Sequence, residues 1–114
     1  MEKLNGKESE NFALNYLAKE GYKILEKNYY RKFGEIDIIA EKDNEIIFFE
    51  VRSKRKNIFS PLLTINQRKI EKLKRLALNY LSEKGIFDKQ IRFDIIGLIK
   101  DNKGFQIEHI KNAF

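Results

Sequence analysis

Two stretches of the chain decide its fold, Gly34-Glu-Ile-Asp-Ile-Ile-Ala40 and Glu45-Ile-Ile-Phe-Phe-Glu-Val-Arg52. Both are rich in β-branched and aromatic residues, which are enriched in strands. Asp43-Asn44 suits a two-residue hairpin loop between them, because Asp and Asn tolerate the left-handed backbone that such a loop requires. The two stretches are therefore predicted to form adjacent antiparallel strands.

The register of this hairpin brings two carboxylates together. With the two-residue loop, Asp37 lies opposite Glu50, and Glu35 lies opposite Arg52. Directly opposed like charges destabilise a sheet, so a positive group is expected between Asp37 and Glu50. A divalent metal is the natural candidate, since hard cations take carboxylate oxygens. Two alternatives stay open: a loop of another length would separate the carboxylates, or both are ordinary solvent-facing acids.

The composition predicts one folded domain over residues 1–114. A hydrophobic content of 42%, with nine Phe and five Tyr, is sufficient for a two-layer core. The absence of cysteine excludes disulfides, thiolate metal sites and cysteine nucleophiles. No apolar run reaches the roughly 20 residues of a membrane span, and the first residues lack the apolar core of a signal peptide. We therefore expect a cytoplasmic protein with no membrane partner.

The charge is basic and clustered. The chain has 23 Lys and Arg against 17 Asp and Glu, a net charge of +6. The two main basic clusters are Arg52, Lys54, Arg55 and Lys56, and Arg68, Lys69, Lys72, Lys74 and Arg75. Such clusters suit a polyanion, of which nucleic acid is the usual one. The alternative is a solvated charged surface.

The predicted order of elements is αβββαββ. Periodicity, capping residues and turn signals place helices over 6–20 and 64–84, strands over 22–31, 34–40, 45–52, 91–99 and 105–110, and a basic loop over 54–63. Thr64-Ile-Asn-Gln67 has the form of a capping box at the start of the second helix. An α/β fold follows, with a mixed sheet and helices packed against it.

Each helix carries one charged residue on its apolar face, near the N-terminal end. Glu10 shares the face of Ala13 and Leu17, and Lys69 shares the face of Leu73. A carboxylate at the end of an apolar face should be partly buried and should need a partner. The alternative for both residues is that the charged end extends into solvent from the end of the helix.

Glu50 is followed on the same strand face by the cation of Arg52. This combination is typical of a metal-dependent phosphodiesterase. Carboxylates hold Mg²⁺, the metal polarises the phosphate and lowers the pKa of a bound water, and an adjacent cation stabilises the developing charge.

Asp37 followed by Glu50-Val-Arg52 resembles the Asp…Glu-x-Lys core of the PD-(D/E)XK nucleases, which have the restriction-endonuclease-like fold. Further stretches are similar to the YraN-like family of bacterial proteins within that superfamily. They are Gly6 with Glu10-Asn-Phe-Ala13 and Tyr16-Leu17; Asn28 with residues 34–40; residues 48–52; Lys69 with Leu73, Ala77 and Tyr80-Leu81; Arg92-Phe-Asp94; and residues 107–114. The likeness spans nearly the whole chain.

The resemblance implies a restriction-endonuclease-like mixed sheet and a site for Mg²⁺ (or Mn²⁺) built from Glu10, Asp37 and Glu50. It also implies kinship with archaeal Holliday junction resolvases, and so an endonuclease that hydrolyses DNA, including branched or damaged DNA. Cutting both strands would favour a homodimer. Together with the basic clusters, the expected DNA contacts are Arg52, Lys54, Arg55, Lys56, Arg68, Lys72 and Arg75.

Arg52 stands where the superfamily has lysine. Arginine cannot release its proton, so Arg52 is expected to hold the phosphate and not to act as a base. We hypothesise that Lys69 supplies the missing amine, with Lys54 as the other candidate. The predicted catalytic residues are then Asp37, Glu50, Arg52 and Lys69. The alternative function is a nucleic-acid-binding module that has lost catalysis and acts with a partner.

Three other polar features are assigned from the sequence. Asp94 beside Arg92 is predicted to form a structural ion pair, and His109, the single histidine, is predicted to be structural. Residues 29–31, Tyr-Tyr-Arg, are candidates for stacking on bases, although aromatic residues in strands usually pack in the core.

Overall fold

The computed structural model describes residues 6–55 and 65–114. Its elements are α1 (Gly6–Lys19), β1 (Lys23–Arg31), β2 (Gly34–Lys42), β3 (Glu45–Arg55), α2 (Gln67–Lys84), β4 (Gln90–Asp101) and β5 (Gly104–Ile110). The order of helices and strands is the predicted one. β3 extends through the first part of the predicted basic loop, and the rest of that loop, from Lys56, lies outside the described residues.

The five strands form one mixed sheet in the order β1-β2-β3-β4-β5. Neighbouring strands are antiparallel except β3 and β4, which are parallel. Parallel neighbours need a crossover connection, usually helical, and α2 lies in that connection. The predicted α/β class, with a mixed sheet and helices packed against it, is confirmed.

The β2–β3 hairpin has the predicted register. Ile38 pairs with Phe49 across the two-residue loop Asp43-Asn44. Both loop residues have positive φ, 51° and 65°, as the favoured two-residue hairpin turn requires. The backbone pairing of the hairpin ends at Ile38 and Phe49, one residue before Asp37 and Glu50.

One helix covers each face of the sheet. Leu17 of α1 packs in the core that contains Phe49, and Leu73 of α2 packs in the core that contains Phe48. The centre of β3 is therefore buried on both sides, and a polar residue that follows it is kept away from water. Within the described residues, neither helix is long and apolar enough to cross a membrane.

α2 begins later than the capping-box pattern predicts. Asn66 is its N-cap, and the Asn66 side chain accepts a hydrogen bond of 2.9 Å from the backbone N–H of Lys69. Thr64 lies outside the described residues. Gly85 ends the helix in the left-handed conformation, with a φ of 67°. The later start places Lys69 in the first turn of α2.

An irregularity at Asn28 and Asp37 changes which way the strands face. Ile38 packs on the α1 side of the sheet, whereas Ile36 and its partner Tyr29 pack on the α2 side. Residues two apart in a regular strand share a face, so the alternation is broken between Ile36 and Ile38. Asn28 has a φ of 53°, which accounts for the break on β1. Asp37 thus lies at the point where the strands change face.

Candidate active site

The two carboxyl groups that the sequence-based register predicts to be opposite each other lie close together. Asp37 is 7% exposed and Glu50 is 3% exposed, and the Asp37 carboxyl is close enough for its charge and hydrogen bonding to raise the pKa of Glu50. Asp37 Oδ2 also accepts a hydrogen bond of 2.8 Å from the backbone N–H of Val51. The backbone of β3 therefore fixes the Asp37 carboxylate beside Glu50.

Two cations from different elements approach the same oxygen of Glu50. Arg52 Nη2 lies 3.1 Å from Glu50 Oε2, and Lys69 Nζ lies 3.5 Å from it. This buried oxygen nevertheless has no hydrogen-bond partner of good geometry among the described residues. The prediction that the Lys69 amine is directed at Glu50 is confirmed.

Burial raises the pKa of Glu50 to about 7, and the charge of Asp37 and its hydrogen bond add to the rise. Lys69 and Arg52 lower this pKa but offset only part of the effect. Near neutral pH, Glu50 therefore keeps its proton in a substantial fraction of the molecules. Such a carboxyl group can exchange its proton for a bound cation.

Glu50→Gln is expected to stabilise the protein in alkaline solution and to flatten its pH dependence. The folded protein holds a proton on Glu50 up to about pH 7, whereas the ordinary pKa is 4.5. The folded state thus binds more protons than the unfolded state between these values. Wild-type stability should fall by about 3 kcal/mol across this window, and the Gln amide, which needs no proton, should abolish that fall.

Urea unfolding in EDTA at about pH 5 and about pH 8 measures this difference. Glu71, an exposed carboxylate on α2, supplies the matched control. In Glu71→Gln the free energy of unfolding should change with pH as it does in the wild type. If it also changed equally with pH in the wild type and in Glu50→Gln, Glu50 would have the same pKa in the folded and the unfolded state.

A cavity of about 180 Å³ opens beside Asp37. Its polar lining consists of Ser9, Glu10, Asn28, Glu35, Asp37 and Ser53. Ser9 Oγ is buried and has no hydrogen-bond partner among the described residues, so the cavity has a polar group available. The volume is sufficient for several waters.

Glu10 lines this cavity but is held apart from the Asp37–Glu50 pair. Glu10 Oε2 accepts a hydrogen bond of 3.0 Å from Asn28 Nδ2, and Lys27 Nζ lies 3.9 Å from its other carboxylate oxygen. Within residues 6–55 and 65–114, no three acidic or histidine side chains are grouped to hold a metal ion. In this structure the three carboxylates therefore do not converge, because Asn28 and Lys27 hold Glu10; the metal-binding set of Glu10, Asp37 and Glu50 stays a prediction.

The prediction that Glu35 pairs with Arg52 is also wrong. The β2–β3 pairing ends at Ile38, and the change of face follows at Asp37, so the hairpin register does not extend to Glu35. Glu35 instead pairs along the backbone with Tyr30 of β1 and lines the cavity. Arg52 turns to Glu50.

The predicted DNA contacts on α2 are on its outer side. Arg68, Lys72 and Arg75 are exposed, and the Arg75 guanidinium stacks over the Phe33 ring at 4.3 Å. The side chains of Lys54 and Arg55, and the whole of Lys56, lie outside what the structure describes. α2 thus presents a basic surface on the helix whose first turn directs Lys69 at Glu50.

Sequence reasoning did not assign Ser9, Asn28 or Glu35 to the site. Asn28 carried a usable signal, since asparagine tolerates a left-handed backbone and interrupts an otherwise strand-like run. Ser9 directly precedes Glu10, but only the folded position of α1 shows that its hydroxyl is buried. Glu35 was misassigned because the break in strand alternation cannot be read from the spacing.

A second buried polar network lies around β4. Asp94 is 0% exposed, Arg92 Nε donates to it at 3.0 Å, and the N–H of Asn112 donates at 2.9 Å. His109 Nε2 lies 2.7 Å from Asp94 and His109 Nδ1 lies 2.9 Å from the Tyr16 hydroxyl. Burial alone would raise the pKa of Asp94, but hydrogen bonds from His109 and Arg92 lower it below its ordinary value. The predicted ion pair of Asp94 with Arg92 is confirmed, and His109 belongs to the same network.

Comparison with known proteins places the chain among bacterial relatives of similar length. A model described as "Uncharacterised protein family UPF0102" matches residues 9–98. A "UPF0102 protein" from Persephonella marina is 46% identical over 112 residues, which cover 97% of this chain and 93% of the relative. Another from Thermodesulfovibrio yellowstonii is 49% identical over 112 residues, covering 96% and 94%. One from Syntrophomonas wolfei is 42% identical over 106 residues, covering 92% of each.

Proposed function

We propose that this chain, which belongs to the UPF0102 protein family, is a cytoplasmic Mg²⁺-dependent endonuclease that hydrolyses phosphodiester bonds in DNA. The observation that carries the proposal is the buried Asp37–Glu50 pair, with Arg52 and Lys69 at one oxygen of Glu50. Two touching carboxyl groups destabilise a fold, and strongly shifted pKa values cluster at functional sites. The resemblance to the PD-(D/E)XK core supports the same function.

The donor set fits Mg²⁺ or Mn²⁺. Mg²⁺ keeps several waters and usually binds through one or two carboxylates together with substrate phosphates. Asp37 and Glu50 would be these two ligands, and Glu50 Oε2 has no hydrogen-bond partner among the described residues. Glu10, which lines the cavity with Asp37, is the third candidate. When bound, the ion would polarise the phosphate and lower the pKa of a water.

The chain's own side chains bind the phosphate and move protons. Arginine is a fixed cation in proteins, and the buried Nε of Arg52 has no partner among the described residues, so Arg52 is suited to hold a phosphate oxygen. The Lys69 side chain is 37% exposed and contacts Glu50, so its amine reaches both the site and solvent. Lys69 is therefore the group that assists either the attacking water or the leaving oxygen.

Lys69→Met is expected to lower the cleavage rate at saturating DNA by about a hundredfold, because a positioned acid or base contributes roughly this much. Single-turnover cleavage of plasmid DNA in Mg²⁺ measures the rate, with DNA affinity and unfolding followed in parallel. Lys74→Met, on an exposed position of α2, is the matched control and should cleave at nearly the wild-type rate.

Lys69→Arg separates proton transfer from charge. Arginine keeps the positive charge but cannot release its proton, so this variant should stay as slow as Lys69→Met. Recovery of the rate by arginine would assign Lys69 an electrostatic role. Full activity of Lys69→Met would remove Lys69 from the mechanism and leave Arg52 and the metal to act.

A nucleic-acid-binding module without catalysis is the second candidate function. Arg52 in place of the superfamily's lysine favours it, and so does the separation of Glu10 from Asp37 and Glu50. The net charge of +6 supports either function. In both cases DNA affinity should fall steeply with added salt, since phosphate neutralisation releases counterions.

Metal binding discriminates between the two functions. Calorimetric titration with Mn²⁺ and Mg²⁺ should show that the wild type binds the metal. The affinity of Glu50→Gln should be lower by at least about tenfold, and the affinity of the exposed control Glu71→Gln should equal that of the wild type. Metal binding that requires Glu50, together with Mg²⁺-dependent cleavage, supports the nuclease. DNA binding with no metal binding and no cleavage supports the module.

A further inference from the structure

Tyr30 presents an exposed aromatic ring next to the cavity. It is 69% exposed, whereas Tyr29 is 0% exposed. Single exposed aromatic residues are common, so the position of Tyr30 carries the argument. Tyr30 pairs with Glu35, which lines the cavity together with Asp37. Directly paired residues place their Cβ atoms roughly 5 Å apart on the same face, so the Tyr30 side chain leaves the sheet beside a residue that lines the cavity.

The residues on both sides of Tyr30 are hydrogen-bonded to α2 through their side chains. Arg31 donates through Nη1 to the Tyr30 carbonyl at 2.6 Å, and through Nε and Nη2 to Glu83 at 3.1 and 2.8 Å. The Tyr29 hydroxyl donates to the same Glu83 at 2.7 Å. These contacts fix the strand while the Tyr30 side chain stays exposed. Because the backbone is already fixed, binding of a ligand to the ring has to order only the Tyr30 side chain.

Exposed cations flank the Tyr30 ring along the chain. The Lys27 side chain is 59% exposed, and Lys32 is exposed. An aromatic ring between cations is the arrangement with which proteins bind single-stranded nucleic acid, because bases stack on the ring while the cations follow the phosphates. A base inside a continuous duplex has both faces stacked, so only an unpaired base can use the ring.

We infer that Tyr30 stacks on an unpaired base, and that the preferred DNA carries such a base beside the bond to be cleaved, as in a flap or a gap. The position of the base relative to the cleaved bond rests on the proposed nuclease function. The base contact itself rests only on Tyr30 and its surroundings.

The test compares two DNA molecules of equal length, a continuous duplex and a duplex with a short single-stranded gap, by fluorescence anisotropy in EDTA. Tyr30→Ala should bind the gapped DNA about tenfold more weakly than wild type and the continuous duplex nearly as well. Tyr30→Phe keeps the ring and should keep the affinity. Equal weakening on both DNA molecules, or none, would overturn the inference.

Phe87→Ala is the matched control. Phe87 is 83% exposed, but it lies three residues before Gln90, which pairs with Glu45 at the start of β3, whereas the cavity residue Ser53 lies near the end of that strand. Its removal should leave both affinities unchanged. A loss on gapped DNA as large as that of Tyr30→Ala would mean that any exposed aromatic residue produces the effect, and would overturn the inference.

A 2-aminopurine in the gap reports the stacking directly. Its fluorescence should fall on addition of wild type or Tyr30→Phe and should change little with Tyr30→Ala; equal quenching by all three proteins would contradict the base contact. Cleavage in Mg²⁺ separates the two proposals. If the wild type cleaves but Tyr30→Ala keeps gap selectivity, only the base contact fails. If no DNA is cleaved but gap selectivity depends on Tyr30, only the nuclease function fails.

Discussion

Asp37→Asn is expected to abolish the proposed Mg²⁺-dependent cleavage of DNA, with a loss of at least about a hundredfold. Asp37 is the residue that joins both parts of the site, since it contacts Glu50 and lines the cavity with Glu10. Asparagine keeps the size of the side chain and its hydrogen bond from the Val51 N–H, but removes the negative charge that would hold the metal. Rates are measured on gapped and plasmid DNA under single-turnover conditions.

The same variant should be at least as stable as the wild type. Replacement of one of the two neighbouring carboxyl groups relieves their repulsion. A variant that gains stability in this way is the usual sign of a site kept for function at the expense of stability. Unfolding in urea checks this expectation. A stable Asp37→Asn protein that still cleaves DNA at the wild-type rate would refute the assignment of Asp37 to the site. Glu50→Gln is measured beside Asp37→Asn, so that the site is also tested by a second variant if Asp37→Asn does not fold.

Asp94→Asn is expected to lower the free energy of unfolding by about 3–5 kcal/mol, because it leaves part of a buried ion pair without its partner. The Asp94 carboxylate accepts hydrogen bonds from Arg92 and from the backbone of Asn112, and it contacts His109. These contacts join β4 to β5 and to the residues that follow it. The amide carries no charge to balance Arg92, which is itself largely buried.

Urea unfolding at neutral pH measures the effect of Asp94→Asn. Asp88→Asn, at an exposed position, should change the stability by less than about 0.5 kcal/mol. The pKa of Asp94 is lowered in the folded protein, so the stabilisation should be present above its ordinary pKa and should disappear as the pH falls through the folded value. An Asp94→Asn protein as stable as Asp88→Asn would show that the network contributes nothing to stability.

The two carboxylates are expected to behave in opposite ways, and the reason lies in their partners. The Asp94 carboxylate is met by a guanidinium, an imidazole and a backbone N–H, which together stabilise its charge. Asp37 is met by another carboxyl group, so part of its interaction is repulsive. Asp94 and Asp37 are both buried, but Asp94 stabilises the fold whereas Asp37 marks the candidate site.

The sequence by itself determined the β2–β3 hairpin, its register and the contact between Asp37 and Glu50. These follow from local chemistry: Asp43-Asn44 selects a two-residue turn, and the turn sets every pair up to Ile38. The direction of Lys69 was also predictable, because helical periodicity and the apolar stripe of α2 orient it toward the sheet. The end of α2 at Gly85 is local in the same way.

Only the tertiary structure decided the other half of the site. The change of face at Asn28 and Asp37 depends on the pairing of β1 with β2, and it separates Glu35 from Arg52. The position of Glu10 depends on how α1 lies on the sheet and on Asn28, which follows it by 18 residues along the chain. Exposure of Tyr30 beside a buried Tyr29 likewise depends on contacts with α2. Such long-range contacts leave no periodic pattern in the sequence, so spacing alone could not predict them.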